Sequence, residues 1–186
     1  KYGVNLAIIG RSGAGKTAFM AKLASLLLEK EKTFTARPVL VRFCGTSSGS
    51  KSGFALMQSL CRQILYAYGE LGDISNIPSS PYDELVDYFH ELLNKYPVIL
   101  VIDSLDQLTN ANEACFNLTF LKSNKLSFHK DTMIIVSALP DIRGEYLYGC
   151  ATRLVESKAT SIEVPLLASD SETFLQNALT FSKRSL

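Results

Sequence analysis

Residues 4 to 31 pass from an apolar strand-like stretch through a glycine-rich turn directly into an amphipathic helix, and that succession limits the fold more than any other feature of the chain. Val4 to Ile9 (VNLAII) is short, apolar and partly β-branched, as a buried strand requires. Gly10-Arg11-Ser12-Gly13-Ala14-Gly15-Lys16-Thr17 then fits G-x-x-x-x-G-K-[ST] at every fixed position. From Lys16 to Glu31, Phe19, Leu23, Leu26 and Leu27 recur at helical spacing, which predicts a first helix laying that face on a sheet. The glycine, lysine and hydroxyl content of this chain would give the pattern by chance in roughly 0.5–1% of such sequences, and the flanking strand and helix lower that further.

The residue types follow from a phosphate-binding task. Glycines at 10, 13 and 15 free the backbone for conformations closed to residues with a Cβ, so that successive N–H groups converge on a phosphate at the positive end of the helix. Lys16 is expected to reach the β and γ phosphates, and the Thr17 hydroxyl to bind Mg2+. Gly10, Arg11, Ser12, Gly13, Ala14, Gly15, Lys16, Thr17 and Ala18 are therefore the candidate nucleotide-binding residues.

The remainder alternates strands with helices. Strands are expected at Val39 to Cys44, Pro97 to Ile102, Thr132 to Ser137 and Ser161 to Val164. Between them come helices at Phe54 to Tyr68, with Leu56, Leu60, Ile64 and Leu65 on one side, and from a Ser80 cap with Pro81 in the first turn to about Lys95. Weaker helices are expected over 111–121 and 145–154, and a last one over 169–181. Such alternation predicts an α/β fold with a parallel sheet covered on both faces and right-handed crossovers. At 186 residues, one domain spanning 1–186 is expected. The start at Lys1, with strand-like sequence following at once, suggests a piece of a longer polypeptide.

Three polar residues stand where strands end. Asp103 closes the most hydrophobic run, on the sheet edge where ligands bind, and is the expected Mg2+ partner of Thr17 through water. Asp106, three residues on, is the candidate base for an attacking water; it could instead cap the following turn or pair with a basic residue, and Gln107 could orient a water without taking its proton. Ser137 closes the Met133 to Val136 run and is a candidate γ-phosphate sensor, or a turn residue before Pro140. Arg11, Arg42 and Arg143 could each meet phosphate charge, although the default reading of each is a solvated or paired surface group, and His90 and His129 read as surface or capping residues.

Lys+Arg 19 against Asp+Glu 18 give a net charge of +1, too little to favour binding nucleic acid through bulk charge. The longest apolar runs have five residues, far short of the roughly 20 that span a bilayer. Cys44, Cys61, Cys115 and Cys150 show no C-x-x-C pair and read as free, small buried hydrophobes in a reducing, cytoplasmic setting.

GRSGAGKT, VRFCGTSSGSKSGFALMQSLCRQI, VILVIDSLDQL and IIVSALPD together resemble the NACHT-type STAND ATPases, and within them the NACHT and WD-repeat group, over about residues 4–170. The resemblance implies a P-loop NTPase three-layer α/β/α sandwich, with five parallel strands and the 132–137 strand between the phosphate-loop strand and the Asp103 strand. It implies ATP or ADP with Mg2+ as ligands, Asp103 as the metal acid and Asp106 as the downstream acid. It also implies a switch whose nucleotide state governs winged-helix, helical and WD-repeat neighbours and assembly into homo-oligomers. Asp106-Gln107 stands where many relatives carry Asp-Glu, and Ala138-Leu139-Pro140 where many carry an Arg, so slow hydrolysis is expected. A nucleotide-binding scaffold without turnover is the main alternative. A small-molecule kinase is a lesser one, since residues 104 to 160 hold only Arg143 and Arg153 to build a lid.

Overall fold

The computed structural model describes residues 3–34, 37–115, 117–122, 128–141, 150–157 and 159–165. Strands β1 (Leu6–Ile9), β2 (Val39–Phe43), β3 (Ile99–Asp103), β4 (Met133–Ala138) and β5 (Thr160–Glu163) form one all-parallel sheet in the order β2-β3-β4-β1-β5. Among the described residues the α-helices are α1 (Lys16–Phe34), α2 (Gly53–Ala67), α3 (Tyr82–Lys95) and α4 (Cys150–Glu156). The expected arrangement holds: β4 lies between β1 and β3, with Leu6 opposite Ile135 and Val101 opposite the same residue from the other side.

The hydrophobic runs are explained by burial on both faces. All five residues of β3 are buried, and they alternate between two apolar clusters. Leu100 and Ile102 join Ala7, Ile134 and Val136 against α2 and α3, where Leu60, Ile64, Leu65, Leu85, Phe89 and Leu93 are fully buried. Ile99 and Val101 join Ile8 and Ile135 against Met20 and Ala24 of α1. Because the strands are parallel, the ends of β1, β3 and β4 meet at one edge, which brings together three segments distant in sequence.

Several expectations are corrected. The buried stripe of α1 is Met20, Leu23, Ala24 and Leu27, while Phe19 is 42% and Leu26 50% exposed, so the helix is turned by about one residue from the expected face. Among the described residues of 111–121 there is no α-helix: Ala111–Glu113 and Thr119–Leu121 are separate 3-10 turns, and the positive φ of Asn112 (55°) and Leu118 (47°) interrupts helical winding. Pro81 is itself the cap residue of α3, which has no side-chain cap, and Asp83 and Glu84 stand in its first turn. His90 is not at the surface. It is 5% exposed, its Nε2 lies 2.8 Å from the Phe120 carbonyl oxygen, and it meets Phe128 edge-on. His129 does act as a local cap, accepting the Asp131 N–H at Nδ1. The helix expected over 169–181 lies outside the described residues, as does the part of the 145–154 helix before Cys150. All four cysteines are free and buried. Among the described residues no helix is long and apolar enough to cross a membrane.

Candidate nucleotide-binding site

β1 ends at Ile9, and the chain turns through Gly10 to Gly15 into α1, with the Ala14 N–H donating to the Arg11 carbonyl and the Phe19 N–H to Gly15. The glycines serve two different needs. Gly13 (φ 81°) and Gly15 (φ 84°) hold left-handed conformations, as expected. Gly10 does not; a Cβ there would come within 2.8 Å of the Val164 carbonyl oxygen, so its smallness lets β1 lie close beside the chain leaving β5.

Lys16 is 8% exposed, and its ammonium donates to the carbonyls of Gly10 (2.6 Å) and Arg11 (3.1 Å). The charge is thus held inside the turn that it is expected to share with phosphate. Behind it, the Thr17 hydroxyl donates to Oδ2 of Asp103 at 2.7 Å, across 86 residues of sequence. Asp103 is 2% exposed and accepts two further hydroxyls, Ser104 at Oδ2 (3.2 Å) and Ser137 at Oδ1 (2.5 Å). The Thr17 and Asp103 oxygens are hard ligands: Thr17 lines an open cleft, and the buried Asp103 carboxylate lies directly behind it. That set suits Mg2+, which is held by one or two protein oxygens and keeps several waters. Among the described residues no group of three or more His, Cys, Asp or Glu side chains forms a protein-only metal cage.

The cleft has a volume of about 390 Å3 and is lined by Ser12, Gly13, Gly15, Lys16, Thr17, Ser104, Asp106, Gln107 and Leu139. Asp106 sits in the 3-10 turn Leu105–Gln107, half-buried, facing this space. Its Oδ1 accepts the backbone N–H of Leu139 (2.9 Å) and its Oδ2 the amide of Gln107 (2.8 Å). The structure therefore brings the phosphate loop and Asp106 to one cleft, with Asp103 buried directly behind Thr17 of its lining.

Other candidates fall elsewhere. Ser137 is fully buried and does not line the cleft; its hydroxyl acts on Asp103, not on the space where a γ phosphate would lie. Arg11, Ala14 and Ala18 belong to the loop and first helical turn without lining the cleft. Arg42 turns away, donating to Val41 and Ser59, and Arg143 lies outside the described residues. Ser104 and Leu139 were not found from sequence. Leu139 carries no polar signal because its contribution is a backbone N–H, and Ser104 is exceptional only in its left-handed backbone (φ 60°).

Two thiols flank the acids from behind. Burial, with the nearby Asp103 and Asp106 carboxylates, pushes Cys44 up to about 12, and burial with Asp106 pushes Cys115 up to about 11. Both remain neutral and fill space.

Comparison with known proteins agrees with this geometry. Residues 5–176 match the family model of the NACHT domain. NACHT domain- and WD repeat-containing protein 1 of Homo sapiens is 32% identical over 123 residues, 59% of this chain and 7% of that protein. NACHT and WD repeat domain-containing protein 2 of Mus musculus is 32% identical over 147 residues, 75% of this chain and 8% of that protein. Telomerase protein component 1 of Rattus norvegicus is 29% identical over 113 residues, 56% of this chain and 4% of that protein. The chain spans less than a tenth of the length of each of these relatives. A family match of this extent, on a parallel sheet whose edge gathers loop, lysine and acid into one cleft, means that the chain belongs to the NACHT domain family, nucleotide-binding modules of the P-loop NTPase type.

Proposed function

We propose that residues 1–186 form one domain of a longer cytoplasmic signalling protein, that it binds ATP and ADP with Mg2+, and that it hydrolyses ATP slowly. The observation that carries this reading is the 2.7 Å bond between Thr17 and Asp103 at the mouth of the phosphate loop. Lys16 and the loop N–H groups hold the phosphates, and Thr17 with Asp103 hold the ion. When bound, Mg2+ neutralises charge on the β and γ phosphates. Asp106 accepts the proton of the attacking water. The nucleotide state then governs the packing of winged-helix, helical and WD-repeat neighbours and assembly into a homo-oligomer, a role supported by the relatives' names and by their length beyond this domain.

A second reading has its own support. Both oxygens of Asp106 already accept hydrogen bonds, and Leu139 lines the cleft with a side chain that supplies no charge. A domain built in this way could hold nucleotide as a scaffold without turnover.

Thermal unfolding with Mg-ATP, Mg-ADP and Mg-GTP, for the parent protein and Lys16→Ala, tests binding first. A nucleotide at about 100 times its Kd stabilises by about 2.7 kcal/mol, which is roughly 5–11 °C for a domain of this size. Adenine-dependent shifts that vanish in Lys16→Ala support the proposal, and no shift with any nucleotide refutes it. Phosphate release from bound Mg-ATP favours the first reading, and binding without release the second.

A further inference from the structure

The Asp103 carboxylate is fixed from inside the sheet as well as from the phosphate loop. Ser137 of β4 is fully buried, and its hydroxyl makes two bonds, to Oδ1 of Asp103 at 2.5 Å and to the Ser104 N–H at 2.8 Å. Their sense is fixed by chemistry. A backbone N–H only donates, so the Ser137 oxygen accepts from Ser104, and its single proton goes to Asp103. The carboxylate torsion of an aspartate is otherwise broad and nearly two-fold. Pinning Oδ1 from the buried side leaves Oδ2 turned toward Thr17 (2.7 Å) and Ser104 (3.2 Å). By accepting the Ser104 N–H, the same hydroxyl also supports the left-handed turn from which Ser104 reaches Oδ2.

We propose that Ser137 is a positioning residue for the metal-binding acid: its hydroxyl orients Asp103 and so sets the Mg2+-dependent part of nucleotide affinity, without touching the nucleotide. This rests on the reading of the cleft as a Mg-nucleotide site. It replaces a γ-phosphate contact with a contact one residue removed from the ion. Partners that orient a ligand carboxylate are worth about 10-fold to 100-fold in metal affinity when removed.

The test measures binding, not turnover. Affinity for a fluorescent ADP analogue is followed as Mg2+ is titrated, and separately in EDTA, for the parent, Ser137→Ala, Asp103→Asn and the double variant. In Ser137→Ala the affinity in EDTA is expected to stay at the parent value, while the Mg2+ concentration for half-maximal enhancement rises about 10-fold or more. In the Asp103→Asn background Ser137→Ala should add nothing, because the group it acts through is gone. Unfolding of the nucleotide-free variants checks that each is folded; should Ser137→Ala not fold, Ser137→Cys, of similar size and a weak donor, takes its place with the same expectation. An unchanged Mg2+ dependence overturns the proposal, as does an equal loss with and without Mg2+, or an effect that persists in the Asp103→Asn background. Failure of the parent protein itself to bind would overturn the nucleotide reading and this inference with it, an outcome distinct from a change confined to the variants.

Discussion

Gly45 follows β2 at the same sheet edge, with a left-handed φ of 77°, and lies against Gln107. A Cβ on residue 45 would stand 2.7 Å from Cβ and 2.9 Å from Cγ of Gln107. Gly45→Ala therefore meets two separate penalties. A side chain at this φ costs about 1–2 kcal/mol, and the overlap about 1–3 kcal/mol. The reduced freedom of alanine in the unfolded chain offsets about 0.4–1 kcal/mol. The expected net loss is about 1–4.6 kcal/mol. For a chain of 186 residues each kcal/mol corresponds to roughly 2.6 °C, a fall in Tm of roughly 3–12 °C.

The two penalties can be separated by calorimetry on four proteins. Gln107→Gly removes the Cβ that is struck but leaves the dihedral strain, so Gly45→Ala in that background should cost about 1–3 kcal/mol less than in the parent. Gly49→Ala is the control, since a Cβ there meets nothing within 4 Å and its φ is not left-handed; it should show only the unfolded-state gain of about 0.4–1 kcal/mol. A Gly45→Ala protein that melts within about 2 °C of the parent would refute the argument. So would a cost that is the same in both backgrounds. Because Gln107 lines the cleft, this contact is also where the loop after β2 meets the nucleotide site.

Two further outcomes follow from buried titratable groups. His90 is held below its ordinary value by burial, opposed in part by its bond to the Phe120 carbonyl and by Asp87. Below the unfolded value of about 6.5 the unfolded chain binds the extra proton more readily, so stability present at neutral pH is lost as pH falls toward the folded value, at up to about 1.4 kcal/mol per pH unit. Denaturant titrations of His90→Gln, which keeps a donor for Phe120, should show a flatter profile over that window; an unchanged profile would remove His90 as its source. The thiols of Cys44 and Cys61, pushed up to about 12 chiefly by burial, should react at pH 8 with an aromatic disulfide reagent only after unfolding. Rapid labelling of the native protein would contradict that burial.

The residues that specify chemistry were legible because each carries its own signal. Gly10, Gly15, Lys16 and Thr17 occupy the fixed positions of the phosphate-loop pattern, and Asp103 closes the most hydrophobic run, a signal that gains weight only beside that pattern. The sheet order was legible through family resemblance alone, since nothing in the strand sequences orders β4 between β1 and β3. What escaped depends on packing partners. On α1 the contact position is Ala24, whose small side chain lets the helix approach the sheet, while the bulkier Phe19 and Leu26 remain outside. A hydrophobicity pattern favours the larger residues and so turns the helix the wrong way. Strand alternation places Ser137 on the α1 side of the sheet, the side of Asp103, but does not say whether its hydroxyl meets the cleft or that acid; the bond to Oδ1 of Asp103 does. His90 looked like a surface residue because its partner, the Phe120 carbonyl, lies 30 residues away and is invisible in composition.

Asp106 has two tasks that substitutions can distinguish. Its Oδ1 ties the loop after β3 to the Leu139 N–H after β4, and its Oδ2 accepts from Gln107. Asp106→Asn keeps a carbonyl oxygen for Leu139 but presents an NH2 to the Gln107 amide, losing one partly solvated bond worth about 0.5–1.5 kcal/mol. Asp106→Ala also strips the Leu139 N–H of its acceptor and should cost about 1–2 kcal/mol more. If Asp106 is the base, both variants bind Mg-ATP and neither releases phosphate above background, although only the alanine protein is clearly less stable. A shared catalytic loss with unequal stability cannot come from a loosened loop, because the loop remains tied in Asp106→Asn. If instead Asp106→Asn turns over ATP near the parent rate while Asp106→Ala does not, the carboxylate is a tie between two loops, and the proton of the attacking water must leave by another route.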